Sequence, residues 1–229
     1  MGKRLDLRMW KYLNESIQGT SHRQAGMVCQ DASFVTPYNV DSEEILVLAC
    51  ADGAGSAKEA QVGAARACDV ITAGVTAYFE SGRVLSELTD DTLRTWMRDL
   101  HAALVGEADE RGIAVRDLAC TLLFGVVGMD RAAFVQVGDG AIVTLQDDKY
   151  APVFWPQAGE YQNTTFFVTD DEYEHRFQSQ ILEKPVTELA MFTDGLQMLA
   201  LNYASKTAQS YDQKLWMTTR QQKRRTLGD

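Results

Sequence analysis

Three aspartates stand at the ends of apolar runs, and each is followed at once by glycine. Ile45-Leu46-Val47-Leu48-Ala49-Cys50-Ala51 leads to Asp52-Gly53-Ala54-Gly55, Phe134-Val135-Gln136-Val137-Gly138 to Asp139-Gly140, and Leu189-Ala190-Met191-Phe192-Thr193 to Asp194-Gly195. A carboxylate at the end of a buried strand is held by a rigid element, and glycine beside it lets backbone approach a ligand closely. One Asp-Gly alone is an ordinary hairpin signal, and Gly138-Asp139-Gly140 keeps that reading beside the functional one. Three repeats of one pattern predict carboxylates gathered at one place, a donor set suited to hard cations such as Mg2+ or Mn2+.

Other chemistries lack necessary parts. Gly53-Ala54-Gly55-Ser56-Ala57-Lys58 has two glycines of a dinucleotide fingerprint without the third, and Lys58 is neither preceded by Gly nor followed by Ser or Thr as a phosphate loop requires. No cysteine has an arginine six residues later, no Asp-x-Asp pair occurs, and there is no Gly-x-Ser-x-Gly elbow. A net charge of -10 over 229 residues, with a pI near 4.8, argues against a nucleic-acid partner. No apolar run approaches the roughly 20 residues that span a bilayer, so no membrane partner is expected. Met1 to Arg8 carries scattered charge instead of a signal-peptide core, and Asp6 breaks the myristoylation pattern begun at Gly2. Cys29, Cys50, Cys68 and Cys120 show no C-x-x-C spacing and read as buried free thiols, which together place the chain in the cytoplasm.

The elements that must hold these residues follow from hydrophobic periodicity. Met9 to Ile17 reads as a strand running into Gly19-Thr20-Ser21-His22-Arg23, Gln30 to Val35 begins a second, and Tyr38 to Ser42 turns into the strand that ends at Asp52. From Ala57 the period becomes helical, with Ala60, Ala64, Ala67, Ile71 and Val75 on one face. A second helix starts at Asp90-Asp91, buries Leu93, Trp96, Met97, Leu100 and Leu104, and stops at Gly112. Strands then follow over Leu118 to Val127, Ala132 to Val137, Ala141 to Leu145 and Tyr150 to Trp155, with further ones at Thr164 to Thr169, Arg176 to Leu182 and before Asp194. Thr121 reads as sheet packing, His101 as solvated surface, and Gly195 to Tyr203 as helical. Short turns between consecutive strands mean antiparallel meanders, so the class is α+β with helices on sheet faces. Residues 1–208 form one domain, and 209–229 form a polar, basic tail in an otherwise acidic chain.

The motifs Gly19-Thr20-Ser21-His22, Cys29-Gln30-Asp31-Ala32, Ala51 to Gly55, Cys120-Thr121-Leu122, Val137 to Gly140 and Phe192 to Leu196 come in a set order. In that order and spacing the chain resembles the metal-dependent protein phosphatases, the type 2C serine/threonine phosphatases, and most of all their bacterial branch. The resemblance spans roughly Gly19 to Tyr203. It implies a four-layer sandwich, two antiparallel β-sheets flanked by α-helices, with metal at one edge. By the same resemblance Asp52 bridges two ions, Gly53 adds a backbone carbonyl, Asp194 and Asp31 each serve one ion, and Asp139 helps hold a third, weaker one. Two Mn2+ or Mg2+ ions about 3.5–4 Å apart would share and acidify a water for in-line attack on a phosphoester. The implied substrates are phosphoserine and phosphothreonine proteins, opposed by a cognate serine/threonine kinase.

The chain also departs from that pattern. Ala54 stands where many eukaryotic members carry His after Asp-Gly, and Gly26 and Met27 stand where the phosphate-binding Arg is expected, which leaves His22 or Arg23 for that role. The family's closing Asp has no match, because after Asp194 only Asp212 and Asp229 remain and neither has its context. The tail beyond about Ala208 reads as truncated or shifted in frame. The alternative function is therefore a catalytically weak or inactive regulatory module that binds a phosphoprotein or a partner kinase.

Overall fold

The computed structural model describes residues 10–24, 26, 28–40, 43–157 and 165–208, without the side chains of Ser21 and His22. The 209–229 tail therefore lies outside the described residues. In chain order the elements are α1 (Thr20–Gln24), β1 (Ala32–Val40), β2 (Glu43–Ala51), α2 (Ala60–Glu80), α3 (Asp90–Arg111), β3 (Leu122–Val127), β4 (Ala132–Val137), β5 (Ala141–Gln146), β6 (Lys149–Pro152), α4 (Tyr173–Arg176), β7 (Gln178–Leu182), β8 (Leu189–Phe192), α5 (Gln197–Ala200), β9 (Leu201–Asn202) and β10 (Thr207–Ala208). One sheet runs β1-β2-β3-β4-β7, a second runs β6-β5-β8, and every pairing is antiparallel.

β2 shows why these segments pair. Its apolar run is buried on both faces: Ile45, Val47, Ala49 and Ala51 point into the core under the long helices, while Leu46, Leu48 and Cys50 point into the core between the sheets. Phe124 and Phe134 split in the same way, the first toward the helices and the second between the sheets. α2 lies against this sheet through Ala60, Ala64, Ala67, Cys68, Ile71 and Val75. The Thr89 side chain caps the start of α3 by accepting from the Thr92 N–H at 3.3 Å, and Gly112 ends the helix in the left-handed region at φ 65°. The five apolar residues expected inside α3 are all buried. On the outer face of the smaller sheet Ala200 and Leu201 pack with Ala141 and Val143. The α+β class and the antiparallel sheets agree with the sequence reading.

Three local readings change. Residues 10–19 form no strand: Tyr12, Leu13 and Ile17 are exposed, and Asn14 and Ser16 instead donate to the carbonyls of Ser33 and Asp31. Residues 165–172 form no strand either, because the Asp170 carboxylate accepts from the Phe167 N–H at 2.9 Å and closes a turn. After Asp194 the helix lasts only from Gln197 to Ala200, since β9 begins at Leu201 and pairs with β10. Cys50, Cys68 and Cys120 are buried free thiols as expected, whereas Cys29 is a free thiol only half-buried; burial pushes Cys68 up to about 12. Among the described residues no helix is long and apolar enough to cross a membrane.

Candidate metal centre

Strand register carries the aspartates to one edge. The Ala32 to Ala51 pairing of β1 and β2, continued by one residue, sets Asp31 across from Asp52. The β2–β3 ladder continues through the Gly53–Cys120 bridge and sets Thr121 across from Asp52. The Leu122 to Val137 pairing of β3 and β4 then sets Thr121 across from Gly138. In the smaller sheet the Ala141 to Phe192 pairing leads, two residues on, to Asp139 facing Asp194. Asp31, Asp52, Asp139 and Asp194 each lie just outside a strand end, where the sheet holds the backbone.

Hydrogen bonds fix the frame. The Asp52 N–H donates to Thr121 Oγ1 at 3.0 Å, and the Thr121 N–H returns to the Asp52 carbonyl at 2.8 Å. The Gly53 N–H donates to the Gln30 carbonyl at 3.2 Å, and a Cβ on Gly53 would stand 2.7 Å from the Ala60 carbonyl oxygen, so α2 begins directly against it. Gly138 sits at φ 103° and its added Cβ would meet Thr121 Cγ2 at 2.5 Å, so both conformation and space demand glycine there. The Gln157 side chain accepts from the Gly138 N–H at 2.8 Å, and Thr165 donates to the Asp139 carboxylate at 2.8 Å.

The electrostatics are those of crowded carboxylates. Burial first, then the charges of Asp31, Asp194 and Asp139 and a hydrogen bond with Asp194, raise Asp52 from 3.8 to about 8. Burial also raises Asp139, partly offset by the Thr165 hydroxyl and a backbone N–H. Among the described residues every influence on Asp52 favours the protonated form. No three His, Cys, Asp or Glu side chains among the described residues converge closely enough to form a complete ligand set. The hard oxygen donors, and a half-buried acid whose ionised form a nearby positive charge would favour, fit Mg2+ or Mn2+.

The structure sets Asp31, Asp52, Asp139 and Asp194 along one edge, where the charges of the other three are felt at Asp52, without closing them into a ligand set. Asp194 is exposed, whereas the other three are half-buried. Arg23 is exposed on α1 and makes no ion pair among the described residues, while the His22 side chain lies outside them. Thr121 is more than sheet packing, because its hydroxyl and amide clamp Asp52 across 69 positions of sequence. Its place in the Cys120-Thr121-Leu122 motif was the available signal. Thr165 and Gln157 carried no sequence signal. His101 is not solvated surface: its ring stacks on Tyr173 at 4.5 Å and its Nδ1 meets the Val168 carbonyl at 2.9 Å.

Comparison with known proteins bears on the family and the fold. The family profile described as protein phosphatase 2C matches residues 18–228. Serine/threonine-protein phosphatase 3 of Escherichia coli (strain K12) is 33% identical over 194 residues, covering 84% of this chain and 76% of that protein. The crystal structure of the serine/threonine phosphatase Stp1 from Staphylococcus aureus superposes with a TM-score of 0.54 at 16% identity, over 77% of this chain and 74% of that one. The catalytic domain of the phosphatase PstP, solved in complex with two manganese ions, gives a TM-score of 0.50 at 16% identity, over 76% and 81%.

Proposed function

Because the chain belongs to the protein phosphatase 2C family and is by that membership a serine/threonine phosphatase, a hydrolase, we propose that it works through two divalent cations. Mn2+ or Mg2+ would be held by Asp52 as the shared ligand, with Asp194 and Asp31 serving one ion each and the Gly53 carbonyl completing the first shell. Asp139 would hold a third, weaker ion. When bound, the cations supply a water acidic enough to attack at neutral pH and positive charge for the transferring phosphoryl oxygens.

The observation that carries this reading is Asp52, raised to about 8 by burial and by three neighbouring carboxylates. Such a group stores repulsion that a cation relieves. The chain's own residues do the rest: Thr121 fixes the Asp52 backbone, Thr165 orients Asp139, and the Gly138 turn keeps both in register. His22 or Arg23 on α1 would receive the substrate phosphate. The substrates are phosphoserine and phosphothreonine proteins, and the partner whose action it reverses is a serine/threonine kinase. The manganese in the PstP structure supports the choice of ion.

Hydrolysis of p-nitrophenyl phosphate and of a phosphothreonine peptide tests the proposal with Mn2+, with EDTA and with Asp52→Asn. Turnover should vanish with chelator and fall at least 100-fold in the variant. Turnover indifferent to both sinks the metal mechanism. A folded, metal-binding protein without turnover would instead be a phosphoprotein-binding regulatory module.

A further inference from the structure

Near the Asp139 turn lies a cation-aromatic cluster that the hydrolytic reading does not use. Lys206 places its ammonium 4.5 Å from the centre of the Trp155 ring, and Tyr203 meets the same indole edge-on at 5.7 Å. The cluster adjoins the metal centre. A single amide, Gln136 Nε2, donates to the carbonyls of both Gly138 and Trp155, which puts Trp155 within one residue of the Asp139 turn. The charge of Asp139 is also felt at the Tyr203 phenol, which burial chiefly raises.

Lys206 is unusual in two ways. It stands in the left-handed backbone region at φ 53°, which a non-glycine residue occupies only where its surroundings hold it, and such positions concentrate at ligand sites. It is exposed, and no carboxylate lies within ion-pairing distance among the described residues, in a chain of net charge -10. The hairpin that presents it is braced by the Asn202 side chain, which accepts from the N–H groups of Ala204 and Ser205, each at 3.1 Å. A fixed ammonium on an indole face, next to a carboxylate cluster, is placed to meet an anion lying on a flat apolar surface.

We propose that Lys206, Trp155 and Tyr203 form a substrate subsite that receives an acidic residue flanking the phosphorylated Ser or Thr. This rests on the phosphatase reading and deepens it. The phosphate goes to the metal centre, the neighbouring backbone crosses the Trp155 and Tyr203 rings, and a flanking carboxylate meets Lys206. Sequences with basic flanks are disfavoured there, because they bring like charge against the ammonium.

Two phosphothreonine peptides that differ only in carrying glutamates or lysines beside the phosphoresidue test the subsite. The ratio of their kcat/KM values, acidic over basic, should fall about tenfold in Lys206→Glu and about threefold in Lys206→Asn, a residue that suits the left-handed backbone and so controls for folding. A ratio unchanged in both variants overturns the subsite. If the wild-type protein fails to hydrolyse p-nitrophenyl phosphate with Mn2+, the phosphatase reading fails separately. Fluorescence anisotropy of the labelled acidic peptide then still reads the subsite: affinity about tenfold weaker in Lys206→Glu supports it, and unchanged affinity overturns it.

Discussion

Asp52 is the residue where the proposed function and the stability of the fold pull in opposite directions. Its folded value of about 8 lies above the ordinary 3.8, so the folded metal-free protein holds a proton that the unfolded chain releases. The stability tied to that proton is fully present below about pH 4 and is lost as pH rises through about 8. In EDTA, Asp52→Asn should therefore match the wild type near pH 4 and exceed it at pH 8 by roughly 2 kcal/mol or more, from the burial and then the three neighbouring carboxylates that raise the acid. Urea denaturation at the two pH values checks this; a gap that does not widen with pH means the carboxylates do not repel as described. Thr121 acts through the same residue. Thr121→Val keeps the shape and removes the oxygen that accepts from the Asp52 N–H, which costs about 1 kcal/mol, or roughly a fivefold rise in the Mn2+ needed for half-maximal turnover. Thr121→Ser keeps that oxygen and should restore the wild-type requirement, as an Mn2+ titration of the three proteins would show.

At the scale of elements, legibility in the sequence follows the range of the interactions. β2 could be read to its last residue because its run is buried on both faces, and α3 from start to stop because its caps, Thr89 and Gly112, are local. The three Asp-Gly ends could be read as well, since each closes a strand. The apparent strand from Met9 to Ile17 could not be judged, because alternation says nothing about whether a sheet edge is available to pair with. The clamp of Thr121 on Asp52 joins distant segments, and no periodicity reports such a bond. Gly63 was equally silent in the sequence. It lets α2 lie on the turn before β3, where a Cβ would come within 1.9 Å of the Leu118 carbonyl oxygen. Gly63→Ala must therefore push α2 away from the segment that carries Cys120 and Thr121, at a cost of about 3 kcal/mol or more. Chemical denaturation would reveal it, and a loss below about 1 kcal/mol would mean that the helix shifts freely.

For the whole molecule, the candidate metal centre draws on two sheets that share a core. Asp31 and Asp52 belong to the end of the larger sheet, Asp194 to the end of the smaller, and Asp139 to the turn between β4 of one and β5 of the other. Cations that bridge these residues would tie the sheets together in the folded state alone, and the unfolded chain offers no comparable site. Binding of that kind stabilises by mass action, about 2.7 kcal/mol when free metal is a hundred times its Kd. For a chain of this length that amounts to roughly 5–10 °C in Tm. Thermal unfolding in EDTA and across a series of Mn2+ concentrations should show Tm rising with the logarithm of metal once the site fills. Asp52→Asn should start from a higher Tm in EDTA at pH 8 and then respond far less. The two curves must cross, because the substitution removes the repulsion that weakens the empty protein and, with it, the ligand that the cations need. Parallel curves would place the stabilising ions elsewhere on this acidic surface.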